Sequence, residues 1–301
     1  CYGCPFPHDK RIKVKEGIHE GLEAAQYEYE GGVAMGSLLG VTDPNSAIYG
    51  NDLCNRLGLD VISTGNSVAF AIECYEKGIL GKEDTDGLEL KWGNAEEAYR
   101  LAEKIAKREG LGDILAREVK RASEYIGKGS EQFAVHVKGM SSIMHDYRAF
   151  WGYALQYGVS AAGPIHEGGG SIMHRALRGE VERFDVRGQA PLLKGLQGIR
   201  GFMNCTGVCE FTAPVGFKHL ARAVSYVTGW DMSEEEARLV ALRELNLRRI
   251  FALRNGLTPE DDTLPPRQLE APSEGGAKGS KILIKPMVRE YYDVMGWDEK
   301  T

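Results

Sequence analysis

The sequence predicts a mainly α-helical protein built as two packed helical domains, residues 1–135 and 136–301. Apolar residues recur at helical spacing along most of the chain, and two capping signatures open long amphipathic runs. Strand-like stretches are few and short. With 301 residues the chain can bury a large core and reaches the size at which single cores begin to divide.

Taken in order, Lys10–Val14 is the first strand candidate, and helices are expected over 46–57 and 61–78. Asn94 with Glu97 three residues later makes a capping box. Ala98, Leu101, Ala102, Ile105 and Ala106 then form one apolar face, and Gly110 supplies a stop. Further helical runs cover 112–126, 147–159 and 215–228. Ser233 with Glu236 repeats the capping device, opening a helix that turns Val240, Leu247, Ile250 and Phe251 inward and ends near Gly256. Glycines at 31–32, 168–170 and 275–276 mark loops or tight backbone approaches. Thr258–Lys285, rich in Pro, Gly and charge, is expected to be a long surface connection, with Ile282–Ile284 as a second short strand.

The bulk chemistry narrows the function classes. A formal net charge of -6 gives no electrostatic support to a nucleic-acid or anionic-membrane partner. No run of about eighteen apolar residues is present, so no transmembrane helix is expected, and no secretory leader opens the chain. The first residue is Cys1 rather than Met, so we expect a piece of a longer protein that lacks its N-terminal portion. Six cysteines are too few for a disulfide scaffold at this length, which points to a reducing, cytoplasmic setting. Cys54 and Cys74 fall within apolar helical patterns and read as small buried hydrophobes.

Four places carry possible chemistry. In Cys1-Tyr2-Gly3-Cys4-Pro5, two thiolates at this spacing can grip a metal or part of a cluster, although zinc knuckles and thiol redox pairs use the same device. Asn55-Arg56-Leu57-Gly58-Leu59-Asp60 and Asn204-Cys205-Thr206-Gly207-Val208-Cys209 share one pattern: polar, two residues, Gly, aliphatic, then Asp or Cys. By spacing alone both are helix C-terminal turns with glycine at the cap. His166 precedes Gly168-Gly169-Gly170, and on its own reads as a hydrogen-bonded loop histidine. Trp151, Tyr153 and Tyr157 are expected in the core or along a substrate channel, and Glu234–Glu236 and Arg248–Arg249 on solvated helix faces.

A run of separated landmarks then resembles the aldehyde:ferredoxin oxidoreductase family, tungsten or molybdenum bis-pterin enzymes, over their C-terminal helical domains. These are Asn51-Asp52-Leu53-Cys54 through Asp60, Gly93-Asn94, Arg108–Asp113, Val137-Lys138-Gly139, His145-Asp146 with Arg148, Gly207–Phe211, and Asn255–Thr258 with Asp261-Asp262 and Leu264-Pro265. The order holds from Cys1 to Trp297.

The resemblance implies a [4Fe-4S] cluster held at the positions of Cys1, Cys4, His8 and Cys209. The family's third cysteine is His8 here, and histidine can ligate iron through a ring nitrogen. It implies pterin contacts at Asn55, Gly58, Leu59 and Asp60 and at Asn204, Gly207 and Val208. Both opening residues are aspartate in the family; the asparagines keep an acceptor and lose the charge. It implies a catalytic histidine at His166 and a catalytic glutamate at Glu28, with Glu23 and Glu30 competing for the same register. Asp146 and Arg148 are expected as a buried pair that fixes a loop.

The activity so implied is oxidation of an aldehyde to a carboxylate, with electrons leaving for a ferredoxin-like acceptor, in a homodimer or alongside an electron-transfer subunit. Three alternatives stand beside it. One is a tungsten benzoyl-CoA reductase-type catalytic subunit, and another a cofactor-free binding or assembly paralogue. A small zinc or thiol site at Cys1 and Cys4 that only stabilises its loop is a third.

Overall fold

Apolar residues at helical spacing dominate the architecture, as a computed structural model of the chain makes plain: thirteen α-helices and four short strands among the described residues. The structure describes residues 10–166, 171–209, 211 and 215–298. The chain divides into two units, Cys1–His145 and Asp146–Thr301.

Unit 1 opens with an antiparallel pair, β1 (Arg11–Lys13) and β2 (Glu23–Ala25), in which Ile12 faces Ala24. The helices α1 (Tyr29–Ala34), α2 (Pro44–Leu57) and α3 (Val61–Glu76) follow. Asp43 caps α2 by accepting from Ser46 N at 2.8 Å, with Pro44 at the first helical position. Next come α4 (Ala95–Lys107), α5 (Leu111–Leu115), α6 (Glu118–Ile126) and a hairpin of β3 (His136–Val137) and β4 (Met140–Ser141). Asn94 caps α4 as expected, accepting from Glu97 N at 3.3 Å. Met35, Val68, Phe70, Ile72, Leu101 and Leu115 lie in one contiguous core.

The hairpin packs on α6 and α3, and Asn66 on α3 donates to Ser142 O at 2.7 Å. Those contacts tie the hairpin and Ser142 to unit 1. At Gly65 a Cβ would sit 2.5 Å from Ala34 O, so α1 and α3 approach through bare backbone. Gly65→Ala is therefore expected to destabilise unit 1 by about 1–3 kcal/mol, as overpacking does, measured by urea unfolding.

Unit 2 comprises α7 (Trp151–Val159), α8 (Ser171–Leu177), α9 (Gln189–Thr206), α10 (Gly216–Thr228), α11 (Glu234–Arg254), α12 (Pro266–Leu269) and α13 (Ile284–Met295). Ser233 caps α11 by accepting from Glu236 N at 3.1 Å. Helix α9 packs against α7, α10, α11 and α13. Trp151, Tyr153 and Tyr157 are buried, as expected.

Several expectations are corrected. The inward stripe of α11 is Ala237, Ala241, Leu245, Arg249 and Ala252, a row that repeats at helical spacing. Leu247, Ile250 and Phe251 are exposed instead, because small residues let α11 lie close to α9. Arg249 is buried, not solvated: it pairs with Asp262 at 2.9 Å and donates to Tyr292 Oη at 2.5 Å. Helix α4 ends at Lys107 and is closed by Arg108 in left-handed conformation (φ 61°), two residues before Gly110. Ile282–Ile284 forms no strand; Ile284 begins α13. Within Thr258–Lys285, Asp262, Leu264 and Ile282 are buried, so that segment is not wholly at the surface.

Gln156 on α7 is fully buried, and neither of its amide atoms has a hydrogen-bond partner among the described residues. Such a group costs about 1–3 kcal/mol relative to a solvated one. Gln156→Met, similar in shape, is expected to raise the thermal midpoint; a lowered midpoint would show that the amide has a stabilising role.

Candidate functional site

The two repeated segments fold into the same turn. At the end of α2, Gly58 N donates to Asn55 O at 3.3 Å and Leu59 N to Cys54 O at 2.9 Å, with Gly58 at φ 71°. At the end of α9, Gly207 N donates to Asn204 O at 3.3 Å and Val208 N to Met203 O at 3.2 Å, with Gly207 at φ 69°. Both are Schellman closures, in which glycine takes the left-handed position at least cost. Asn55, Gly58, Asp60, Asn204, Gly207, Val208 and Cys209 are exposed, and Leu59 is half-buried. The turns therefore present polar groups and aliphatic side chains outward.

The two turns differ at their last residue. Asp60 caps α3, accepting from Ser63 N at 2.7 Å. Cys209 is instead an exposed thiol, a soft ligand in reach of solvent. Beside Asp60 opens a cavity of about 240 Å³ lined by Ser63, Thr64, Ser67, Ile105, Arg108 and Glu118. Its rim mixes carboxylate, hydroxyl and guanidinium groups, a donor and acceptor set that suits a polar heterocycle.

Cys1, Cys4 and His8 lie outside the described residues. The other cysteines sort by burial. Burial pushes the Cys54 thiol up to about 11 and the Cys74 thiol up to about 12. Both are fully enclosed, whereas Cys205 and Cys209 are exposed. Iodoacetamide is expected to label Cys205 and Cys209 in the native cofactor-free chain and to leave Cys54 and Cys74 unmodified, as peptide mass mapping would read. Labelling of Cys74 at the rate of Cys205 would contradict this burial.

The three glutamates that compete for one register occupy distinct settings. Glu23 sits on the hairpin, paired with Arg11 at 2.8 Å and Lys13 at 3.3 Å on an exposed surface. Glu28 is exposed at the N-cap of α1 and makes no capping bond. Glu30 has only 18% of its side chain exposed. Its Oε2 accepts from Met144 N at 2.7 Å, and its Oε1 lies 3.3 Å from His145 Nε2. Neighbouring Tyr29 donates to Met144 O at 2.9 Å; burial, then the charge of Glu30, pushes its hydroxyl up, so it stays a neutral donor. Sequence reasoning named Glu30 only as a competitor and gave His145 no role. The signal available was the position of Glu30 in the first turn of a short helix, followed directly by Gly31 and Gly32.

In unit 2, His166 is half-buried and meets the ring of Tyr157 edge-on, centroids 6.1 Å apart. Asp146 and Arg148 do pair, at 2.7 Å, but with 47% and 22% of their side chains exposed, so the pair is less buried than expected. Burial raises the Asp146 carboxyl, and the bonds from the Arg148 guanidinium and backbone outweigh it and hold it low.

A family model described as aldehyde ferredoxin oxidoreductase, domains 2 and 3, matches residues 1–301. The chain belongs to the aldehyde ferredoxin oxidoreductase family. A tungsten-containing aldehyde ferredoxin oxidoreductase of Pyrococcus furiosus is 35% identical over 307 residues, covering 99% of this chain and 50% of that protein. The corresponding protein of Thermococcus kodakarensis is 34% identical over the same shares. An aliphatic sulfonate oxidoreductase, WOR-like subunit, of P. furiosus is 32% identical, covering 99% of this chain and 47% of its own length. The chain thus spans about half the length of the curated relatives it matches. Among solved structures, the BamBC active-site complex of benzoyl-coenzyme A reductase with 1,5-dienoyl-CoA matches with a TM-score of 0.74 at 21% identity, over 100% of this chain and 50% of that one. That likeness is one of fold, and it agrees with the mainly α family architecture. No helix among the described residues is long and apolar enough to cross a membrane.

Proposed function

We propose that this member of the aldehyde ferredoxin oxidoreductase family is the helical part of a tungsten or molybdenum bis-pterin oxidoreductase. The reaction is RCHO + H2O → RCOO⁻ + 3 H⁺ + 2 e⁻, with the electrons leaving through a [4Fe-4S] cluster to a ferredoxin-like acceptor. The observation that supports it best is the pair of matching outward-facing turns at 55–60 and 204–209, in a chain whose relatives include tungsten-containing oxidoreductases. When bound, the metal–pterin group supplies the two-electron chemistry; the protein contributes placement and proton handling.

In this reading Asn55, Gly58, Leu59 and Asp60 would hold one pterin, and Asn204, Gly207 and Val208 the other. The polar rim beside Asp60 and the amides at the two turns suit the alternating donors and acceptors of such rings. Cys209 would serve as a cluster ligand together with Cys1, Cys4 and His8. His166 would exchange a proton with the substrate oxygen.

For the carboxylate we assign Glu30 rather than Glu28. A half-buried carboxylate fixed on one oxygen by a backbone N–H is preorganised to orient water or receive a proton.

The test is turnover by the full-length, cofactor-loaded protein, with aldehyde-dependent reduction of a viologen dye run beside aryl-CoA-dependent electron exchange. Aldehyde-dependent reduction is expected. Exchange with aryl-CoA alone would replace the substrate class, and inactivity of a fully loaded protein with both would overturn the assignment.

A further inference from the structure

The start of α1 and the segment at 142–145 are joined by a closed set of contacts. Tyr29 Oη donates to Met144 O at 2.9 Å, and Met144 N donates to Glu30 Oε2 at 2.7 Å. The His145 ring stacks on Tyr29, centroids 5.6 Å apart and planes 23° from parallel. The same imidazole brings Nε2 to 3.3 Å from Glu30 Oε1, with 22% of the His145 side chain exposed. The segment is itself tethered, because Asn66 donates to Ser142 O at 2.7 Å.

Each oxygen of the Glu30 carboxylate thus meets a different group. Oε2 is fixed by the main chain, and Oε1 faces an imidazole whose plane is set by a tyrosine ring. A carboxylate held at one oxygen still rotates about its last torsion, which is broad and soft. The main-chain bond at Oε2 and the imidazole nitrogen 3.3 Å from Oε1, close but not hydrogen-bonded to it, together limit that rotation.

We propose that His145 is a positioning residue for Glu30: stacked on Tyr29, it sets the plane of the carboxylate through Oε1. The inference rests on Glu30 being the working carboxylate. It assigns His145 no contact with substrate. The competing account is a purely structural pair that fastens 142–145 to α1.

Two substitutions separate these accounts. His145→Phe keeps an aromatic ring against Tyr29 and removes Nε2. His145→Gln reaches the Nε2 position with an amide N–H and gives up the ring. Supporting groups of this kind typically carry about 10–100-fold in activity.

In the full-length, cofactor-loaded protein, His145→Phe is expected to lower kcat by roughly 10–100-fold at nearly unchanged KM and melting temperature. His145→Gln is expected to recover most of that loss. A readout independent of turnover is hydrogen exchange at the Met144 amide. Exchange should quicken on the order of tenfold in His145→Phe, where Glu30 is released, and stay near the parent rate in His145→Gln.

Unchanged kcat in His145→Phe, with Glu30→Gln strongly impaired, would overturn the positioning role and leave the Glu30 assignment standing. Equal losses in His145→Phe and His145→Gln that track a fall in melting temperature would show the pair to be structural. If Glu30→Gln itself keeps full activity, the carboxylate assignment fails before the question of His145 arises.

Discussion

Asp262→Ala is expected to destabilise unit 2 by about 3–5 kcal/mol, because it leaves a buried guanidinium without its counter-charge. Arg249 and Asp262 have 3% and 0% of their side chains exposed. Tyr292 completes the set, donating to Asp262 Oδ2 at 2.5 Å and lying under the guanidinium, as Trp297 does at 5.2 Å. Burial, then Asp262, pushes the Tyr292 hydroxyl up, so it remains protonated and able to donate. The pair need not stabilise the fold relative to apolar residues of equal volume; its removal in halves is what costs. The double change Arg249→Met, Asp262→Leu is therefore expected to recover most of the stability lost in Asp262→Ala. Urea unfolding of the three proteins measures this, and a loss below about 1 kcal/mol for Asp262→Ala would mean that the charge is solvated in solution.

The second large effect is on chemistry. Glu30→Gln is expected to lower kcat by about 10²–10⁴-fold, the usual range for a group that exchanges a proton in the transition state. The fold should persist, since the glutamine carbonyl can still accept from Met144 N, now 2.7 Å from Glu30 Oε2. Glu28→Gln serves as the control and is expected to change kcat by less than about twofold, because its side chain is exposed at the helix cap. A strong loss in Glu28→Gln with an active Glu30→Gln would reverse the two roles.

The parts of this architecture that were legible in advance are those fixed by local chemistry. Asn94 and Ser233 cap the helices they precede, and the two glycine turns close α2 and α9 as their spacing requires. Cys54 and Cys74 lie buried in helical patterns. What escaped notice depends on packing. Helix α9 contains Pro191 and glycines at 195, 198 and 201, which argue locally against a helix. Its stability comes from burying Leu193, Phe202 and Met203 and from its contacts with α7, α10, α11 and α13.

On α11 the bulkiest apolar residues suggest the wrong face. Ala237 and Ala241 pack inward because the close approach to α9 favours small side chains, and Arg249 follows them because Asp262 waits at the far end. Of the candidate site, the two turns could be read from spacing, whereas the choice among Glu23, Glu28 and Glu30 could not. It depends on Met144 and His145, more than a hundred residues along the chain, folding back onto α1.

The central claim is that this chain serves a metal–pterin oxidoreductase, and elemental analysis of the anaerobically purified full-length protein tests it most directly. The account expects about one tungsten or molybdenum and about four irons per chain, with His8 tolerated at a cluster position. A protein that contains neither tungsten nor molybdenum nor iron would contradict the account and leave a cofactor-free binding or assembly subunit in its place.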